Sequence, residues 1–242
     1  MKSAKKYSWL FVKLMRKIWY LLASLSLLVG LIVVSVELVV FDMGFYQQEY
    51  QKLERYEEIG IAKEDLLDGT KHLLAFVRDE RKDLDLSYEV RGVKRALFNA
   101  REITHMEDVR DLYLGARMVR RLGLSFFLAT FAYIWYRYKK AGLKQLSKAM
   151  LEAMAAVFGV ILVIGIFYMV DFERFWTLFH QISFSNDLWI LDSRTDILIQ
   201  MVPEQFFIDC VGRIIQYSLL SFGIFFVAAL AGMRMKIKEL VH

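Results

Sequence analysis

At 242 residues, with 57% hydrophobic and 15% aromatic side chains, the chain is too apolar for one ordinary soluble domain and reads as a polytopic membrane protein. Its formal charge of +5 does not indicate a nucleic-acid partner, because the basic residues that lack acidic neighbours sit beside apolar segments, where they act as topology signals. The single cysteine, Cys210, excludes an intrachain disulfide framework and a CxxC metal or redox motif, and reads as a small buried residue rather than an acyl-carrying nucleophile.

Residues 1–17 carry Lys2, Lys5, Lys6, Lys13, Arg16 and Lys17 with no acid. The apolar run at 18–41 has the length of a first transmembrane helix, is too long for a signal-peptide core and lacks a clear cleavage site, so it is expected to be retained. Glu37 falls near its far membrane face, in an interfacial or capping role.

Residues 42–118 are dense in interleaved charge and predict a folded helical cap lying on the membrane. Helical spacing recurs in Leu66, Leu67, Leu73, Leu74 and Val77, and again in Ile103, Met106, Val109, Tyr113 and Ala116. Strands are not expected, Gly60, Gly69 and Gly92 read as breaks between short helices, and Tyr46, Tyr50, Phe76 and Phe98 as partly buried beneath the cap. Asn99 with Glu102 has the form of a capping box. In the helix that follows, His105 and Asp108 share a face and could serve as a base and its orienting acid, although the same spacing also describes an ordinary solvated helix face. His72 reads as an exposed cap residue.

A second span at 119–136 follows Met118, a basic cytoplasmic connection occupies 137–153, and a third span 154–172. An extracytoplasmic loop fills 173–210, a fourth span 211–233, and the C-terminus 234–242 is basic and cytoplasmic, with a terminal His242 expected to be inert. The fold class is thus all-α, with four transmembrane helices and an extracytoplasmic helical cap. Basic clusters at both termini and in the second connection place these inside, so the cap and the 173–210 loop emerge on the same outer face.

That loop is chemically rich. Phe172, Phe175, Trp176, Phe179 and His180 form an aromatic stripe at helical spacing, a pattern that commonly serves as an interfacial belt. His180 differs, since an imidazole among rings at the lipid boundary sits where its proton affinity matters. Beyond it come Phe184, Asn186, Asp187, Trp189, Asp192, Arg194 and Asp196, and then Pro203 and Glu204, which open the helix of the fourth span. No GxSxG elbow, HExxH helix or nucleotide-binding glycine pattern is present. His105, Asp108, His180 and Asp187 have the residue types of a metal site, but no spacing demands one, and neither metal nor cofactor is expected.

Two blocks, FNAREITHMEDVRDLY and FHQISFSNDLWILDSRTDILIQMVPEQFF, resemble the signature blocks of the lipoprotein intramolecular transacylase (Lit) family of bacterial membrane proteins. The four-span layout is similar as well, while Ser193 stands where the family commonly has proline after Leu-Asp. The resemblance implies an acyltransferase of the bacterial cytoplasmic membrane that moves the sn-2 acyl chain of a diacylglyceryl lipoprotein onto the α-amino group of its N-terminal cysteine, leaving a lyso-form lipoprotein. It also implies catalytic histidines at His105 and His180, with His105 assigned as base and His180 as acid. Asp108 would orient His105; Arg110, Asn186, Asp187 and Trp189 are candidates to orient groups or stabilise the oxyanion; and Phe175, Trp176, Phe179 and Phe184 would line the acyl chains. The expected partners are the lipoprotein substrate with its free N-terminal cysteine and membrane lipid, with no nucleic acid and a monomeric chain. Two readings from other classes compete: a metal-dependent membrane lipid hydrolase, marked by chelator sensitivity and free fatty acid, and a non-enzymatic sensor or assembly protein, indifferent to loss of either histidine.

Overall fold

The computed structural model describes residues 2–235, with side chains from Leu10 onward; His242, Lys236 and Lys238 lie outside the described residues. The chain runs α1 (Lys2–Val40), α2 (Met43–Lys52), α3 (Arg55–Ile59), α4 (Lys63–Val77), β1 (Ser87–Val90), β2 (Val93–Ala96), α5 (Ala100–Val170), α6 (Phe172–Ser183), α7 (Ile197–Met201) and α8 (Glu204–Met233). Among the described residues three helices, α1, α5 and α8, are long and apolar enough to cross a membrane. The 71-residue α5 is broken at Lys139, whose φ of 50° and ψ of −136° are not helical. The break falls inside the basic connection expected between the second and third spans.

Two compact units emerge, one from Met1–Val34, Met118–Val170 and Gln216–His242, the other from Ser35–Arg117 and Asp171–Ile215. The first is the greasy one. Its core joins Ala23, Leu27 and Leu28 of α1 to Phe127 and Ile134 before the α5 break and to Leu146, Ala149 and Met150 after it. Gly123 permits the helix contact: a Cβ there would lie 2.9 Å from the Ser26 carbonyl oxygen, and the Ser26 hydroxyl donates to the Gly123 carbonyl at 3.1 Å. The only acid in the basic connection, Glu152, is paired with Lys17 at 3.1 Å. Val160, Val163, Met169 and Leu220 stay exposed, a surface suited to a hydrocarbon solvent.

The second unit carries the polar chemistry. Tyr50, Phe45, Phe76, Ile59, Leu66, Leu84, Leu97 and Met201 are fully buried in one core. Tyr46, Tyr50, Phe76 and Phe98 are wholly buried in it rather than partly covered. Cys210 is a free, buried thiol in the same core. The unit departs from an all-helical reading by a β-hairpin, in which Ser87 pairs with Ala96 and Val90 with Val93 around Arg91 and Gly92. Both turn residues have positive φ, 52° and 79°, as a type I′ hairpin turn requires. Gly60 does end a helix, in the left-handed conformation, but Gly69 sits inside α4. There a Cβ would come within 2.5 Å of Leu97, so the missing side chain is the socket for the residue that follows the hairpin.

Candidate active site

Glu102 joins the two stretches of chain that make the site. The capping box forms as expected: the Asn99 amide donates to Glu102 Oε2 at 2.7 Å and the Glu102 amide donates to Asn99 Oδ1 at 3.0 Å. The other carboxylate oxygen, Oε1, accepts from the Leu198 amide at 2.6 Å, so one fully buried side chain caps α5 and holds the start of α7. Burial raises its proton affinity, and the two backbone hydrogen bonds oppose that rise. A parallel link runs from Asn99 Nδ2 to Asp196 Oδ1 at 2.9 Å, while Asp196 Oδ2 accepts from the Asp192 amide at 2.8 Å.

One turn after Glu102, His105 is 7% exposed, and His180, near the end of α6, is 5% exposed. Their ring centroids lie 6.2 Å apart. The sequence pattern of α6 explains the second position, since Asp171 caps its first turn by accepting from the Arg174 amide at 3.0 Å and the aromatic stripe then winds on one side. His180 stands among rings, with Trp176 at 4.4 Å, Trp189 stacked at 4.8 Å, Phe179 at 5.2 Å and Phe184 at 5.7 Å between centroids. Phe184 also meets His105 edge-on at 5.2 Å.

The hydrogen bonds fix one tautomer. His180 Nδ1 lies 2.9 Å from the Trp176 carbonyl oxygen, which can only accept, so Nδ1 carries the proton and Nε2 presents its lone pair. His105 Nδ1 is buried with no hydrogen-bond partner among the described residues. Both rings lie outside the apolar segments, and burial lowers the proton affinity of each. For His105 the neighbouring His180 adds to the effect against the opposing charge of Asp108, bringing its pKa to about 4; for His180 the Trp176 carbonyl opposes it. Two neutral imidazoles at neutral pH result.

Not every candidate joins them. Asp108 accepts from Asn186 Nδ2 at 2.9 Å and makes no hydrogen bond to His105. Asn186 is thereby spent on holding the loop, its Oδ1 accepting from the Leu188 amide at 3.1 Å. Asp187 contributes its backbone carbonyl, which accepts from Arg101, a residue that pattern reading passed over. The Arg110 guanidinium lies over the Phe76 ring at 4.7 Å, and Phe175 packs against Phe172 at 6.4 Å. Trp189 stacks on His180 and its indole N–H has no protein partner among the described residues. Among the described residues no three His, Cys, Asp or Glu side chains converge as a metal site would need. His72 is partly exposed and sits 3.3 Å from Asp68, apart from this chemistry.

Comparison with known proteins places the chain in a family. The family described as "Lipoprotein intramolecular transacylase Lit" matches residues 21–207. An uncharacterized protein of Aquifex aeolicus (strain VF5) is 28% identical over 178 residues, covering 71% of this chain and 74% of that protein. The in meso structure of the membrane integral lipoprotein intramolecular transacylase Lit from Bacillus cereus, with one histidine replaced by arginine, is similar in fold: TM-score 0.73 at 18% identity, covering 95% of this chain and 97% of that one. A second in meso structure of the Bacillus cereus protein gives TM-score 0.73 at 19% identity over 91% of this chain and 96% of that one. With a family match that takes in both histidines and well over half of the sequence, the chain belongs to the lipoprotein intramolecular transacylase (Lit) family, membrane-integral acyltransferases that modify lipoproteins.

Proposed function

We infer that the protein moves the sn-2 acyl chain of a diacylglyceryl lipoprotein to the α-amino group of its N-terminal cysteine, with the two histidines handling the proton. The observation that carries this reading is the pair itself: two buried, uncharged imidazoles, one of fixed tautomer, in an aromatic enclosure. The reaction needs no protein nucleophile. Attack by the amine on the sn-2 ester carbonyl closes a ring of about eight atoms within one substrate molecule, so the enzyme contributes orientation and proton transfer.

The fixed tautomer favours His180 as the base, the reverse of the assignment expected from sequence. Its Nε2 takes a proton from the attacking amine, whose ordinary pKa of about 7.7–8.0 leaves a usable neutral fraction at pH 7. The Trp176 carbonyl stabilises the imidazolium that forms through the Nδ1 proton. As the tetrahedral intermediate collapses, the C–O bond to the glyceryl sn-2 oxygen breaks and His180 returns the proton to that oxygen. The N–C amide bond remains, and the product is an N-acyl, monoacylglyceryl cysteine. His105, neutral down to about pH 4, supplies an N–H to the developing oxyanion rather than a resting positive charge. Trp189, stacked on His180, offers a second donor through its indole nitrogen. The rings of Trp176, Phe179 and Phe184 surround the acyl chains and keep out the water that would turn transfer into hydrolysis.

The break in α5 at Lys139 supports four crossings from three long helices. With basic clusters inside, both termini are cytoplasmic and the histidines face the outer side of a bacterial cytoplasmic membrane, in a monomer. The reaction is tested by mass spectrometry of a diacylated lipopeptide with a free amino terminus, incubated with the purified protein and with His105→Ala and His180→Ala. Unchanged mass, with fragment ions carrying one acyl chain on the amine for wild type alone, is the expected result; release of free fatty acid would indicate a hydrolase instead.

A further inference from the structure

Away from the histidines, the polar unit holds a cavity of about 330 Å³, lined by Glu58, Arg91, Ser193, Arg194 and Gln200. Its walls are the end of α3, the tip of the hairpin and the segment that leads into α7. The cavity is built rather than incidental. Arg91 occupies the first position of the I′ turn with φ 52°, where asparagine, aspartate or glycine is the usual choice. It is held there by its amide donating to the Gly60 carbonyl at 2.7 Å and by its Nη2 donating to the Glu58 carbonyl at 3.0 Å. Its stem lies where any side chain on Gly60 would have to go, a Cβ there meeting Arg91 Cγ at 2.6 Å. A long cation has been fitted to a position that local conformation would give to a small residue.

Opposite it, Arg194 is aligned by Asp192, with Nε at 3.0 Å from Oδ1 and Nη2 at 2.6 Å from Oδ2, which leaves Nη1 without a protein partner among the described residues. Gln200 donates to the Ser193 carbonyl at 3.0 Å and fixes the wall between them. Glu58 is neutralised by Arg55 at 2.7 Å, and Arg194 by Asp192, so the charge left over at the cavity is that of Arg91. A cavity lined by two guanidinium groups, with one surplus positive charge, suits a carboxylate.

Its place in the chain says whose carboxylate. The α7 wall hangs on Glu102, three residues before His105, so the helix beside the cavity and the helix that carries His105 are joined through one buried carboxylate. A lipoprotein substrate that offers its α-amine to the histidines must lead its polypeptide away from that same cysteine, at no more than about 3.3–3.6 Å per residue. We propose that this cavity receives the first residues of the substrate polypeptide after the acylated cysteine and binds an acidic side chain there through Arg91 and Arg194. The inference rests on the transacylase reading and adds a preference for sequence to it.

The test uses diacylated lipopeptides that differ only in having Asp, Asn or Lys at each of the first four positions after the cysteine. Wild-type protein in detergent should show a KM about five-fold lower for an Asp peptide than for its Lys counterpart at one of these positions, the size expected of a solvated charge pair, and raised salt should erase the difference. Arg91→Asn, which suits the left-handed turn position, and Arg194→Gln should each abolish that preference while the unfolding temperature holds. A wild type indifferent to the substitution at all four positions, or variants that retain the preference, would overturn the proposal. If no peptide undergoes acyl transfer with wild type, the transacylase reading itself fails, which is a distinct result from transfer without preference.

Discussion

His180 owes its tautomer to one backbone carbonyl. Because Trp176 O lies one helical turn back and accepts the Nδ1 proton, His180→Ala should lower the transfer rate by about 10²–10⁴-fold, the range of a positioned base, with folding retained. His180→Gln should not rescue it, since an amide cannot take up the proton. The pH dependence follows from the depressed imidazoles. Both are neutral through the physiological range, so the acid limb of kcat/KM should follow the substrate amine at about 7.7–8.0. Folding stability tells a second story. An imidazole whose proton affinity is lowered by folding binds its proton first in the unfolded chain, so the stability linked to His105 is intact above about 6.5 and declines as pH falls toward about 4. Thermal unfolding in detergent across pH 4–7 would show it, and His105→Phe should flatten the decline. His105 and His180 stood out in sequence by residue type, setting and family resemblance, but the hydrogen bond that fixes the His180 tautomer did not. Nor did the pairing of Asp108 with Asn186 across 78 positions of sequence, which no periodicity encodes.

At the scale of elements, the helices announced themselves through spacing and the hairpin did not. Its strands span only four residues each, β2 is exposed throughout, and Arg-Gly is a weaker turn signal than Asn-Gly, so neither alternation nor turn chemistry rose above the charged background. Gly69 was visible in sequence and misread as a break, because a glycine that admits a neighbour and one that ends a helix look alike until the neighbour is known. Gly69→Ala gains helix propensity yet drives a methyl into buried Leu97, and overpacking of about 1–3 kcal/mol should prevail. A lowered unfolding temperature in Gly69→Ala, partly restored by pairing it with Leu97→Val, would show this. Glu102→Ala removes a capping box and leaves the Leu198 amide unpaired, at a cost of about 2–4 kcal/mol. Its Gln counterpart keeps the reach but loses one acceptor and the charge, and should fall between.

For the molecule as a whole, composition and the distribution of Lys and Arg reveal a membrane protein with polar chemistry in two stretches, and the fold agrees in its helical content and in gathering those stretches into one unit. The division of the 71-residue α5 at Lys139 was legible only as a run of basic residues between apolar ones. If those residues form a cytoplasmic corner, cysteines introduced at Lys140 or Lys144 should resist a membrane-impermeant thiol reagent in intact cells and react after permeabilisation, whereas one at Lys94 in the hairpin should react in both. Labelling of all three alike would argue against four crossings. Glu102 also carries a consequence for synthesis. The Leu198 amide that it needs is made 96 residues later, so a ribosome will have produced the turn that carries His105 and the apolar lengths of α5 long before that carboxylate finds its second partner. Until then α5 has its cap but no α7 to hold, even after His180 has been made. If the two histidines act as inferred above, the nascent chain lacks a complete site for most of its synthesis, and one can assemble only when the segment before the last apolar helix has been made.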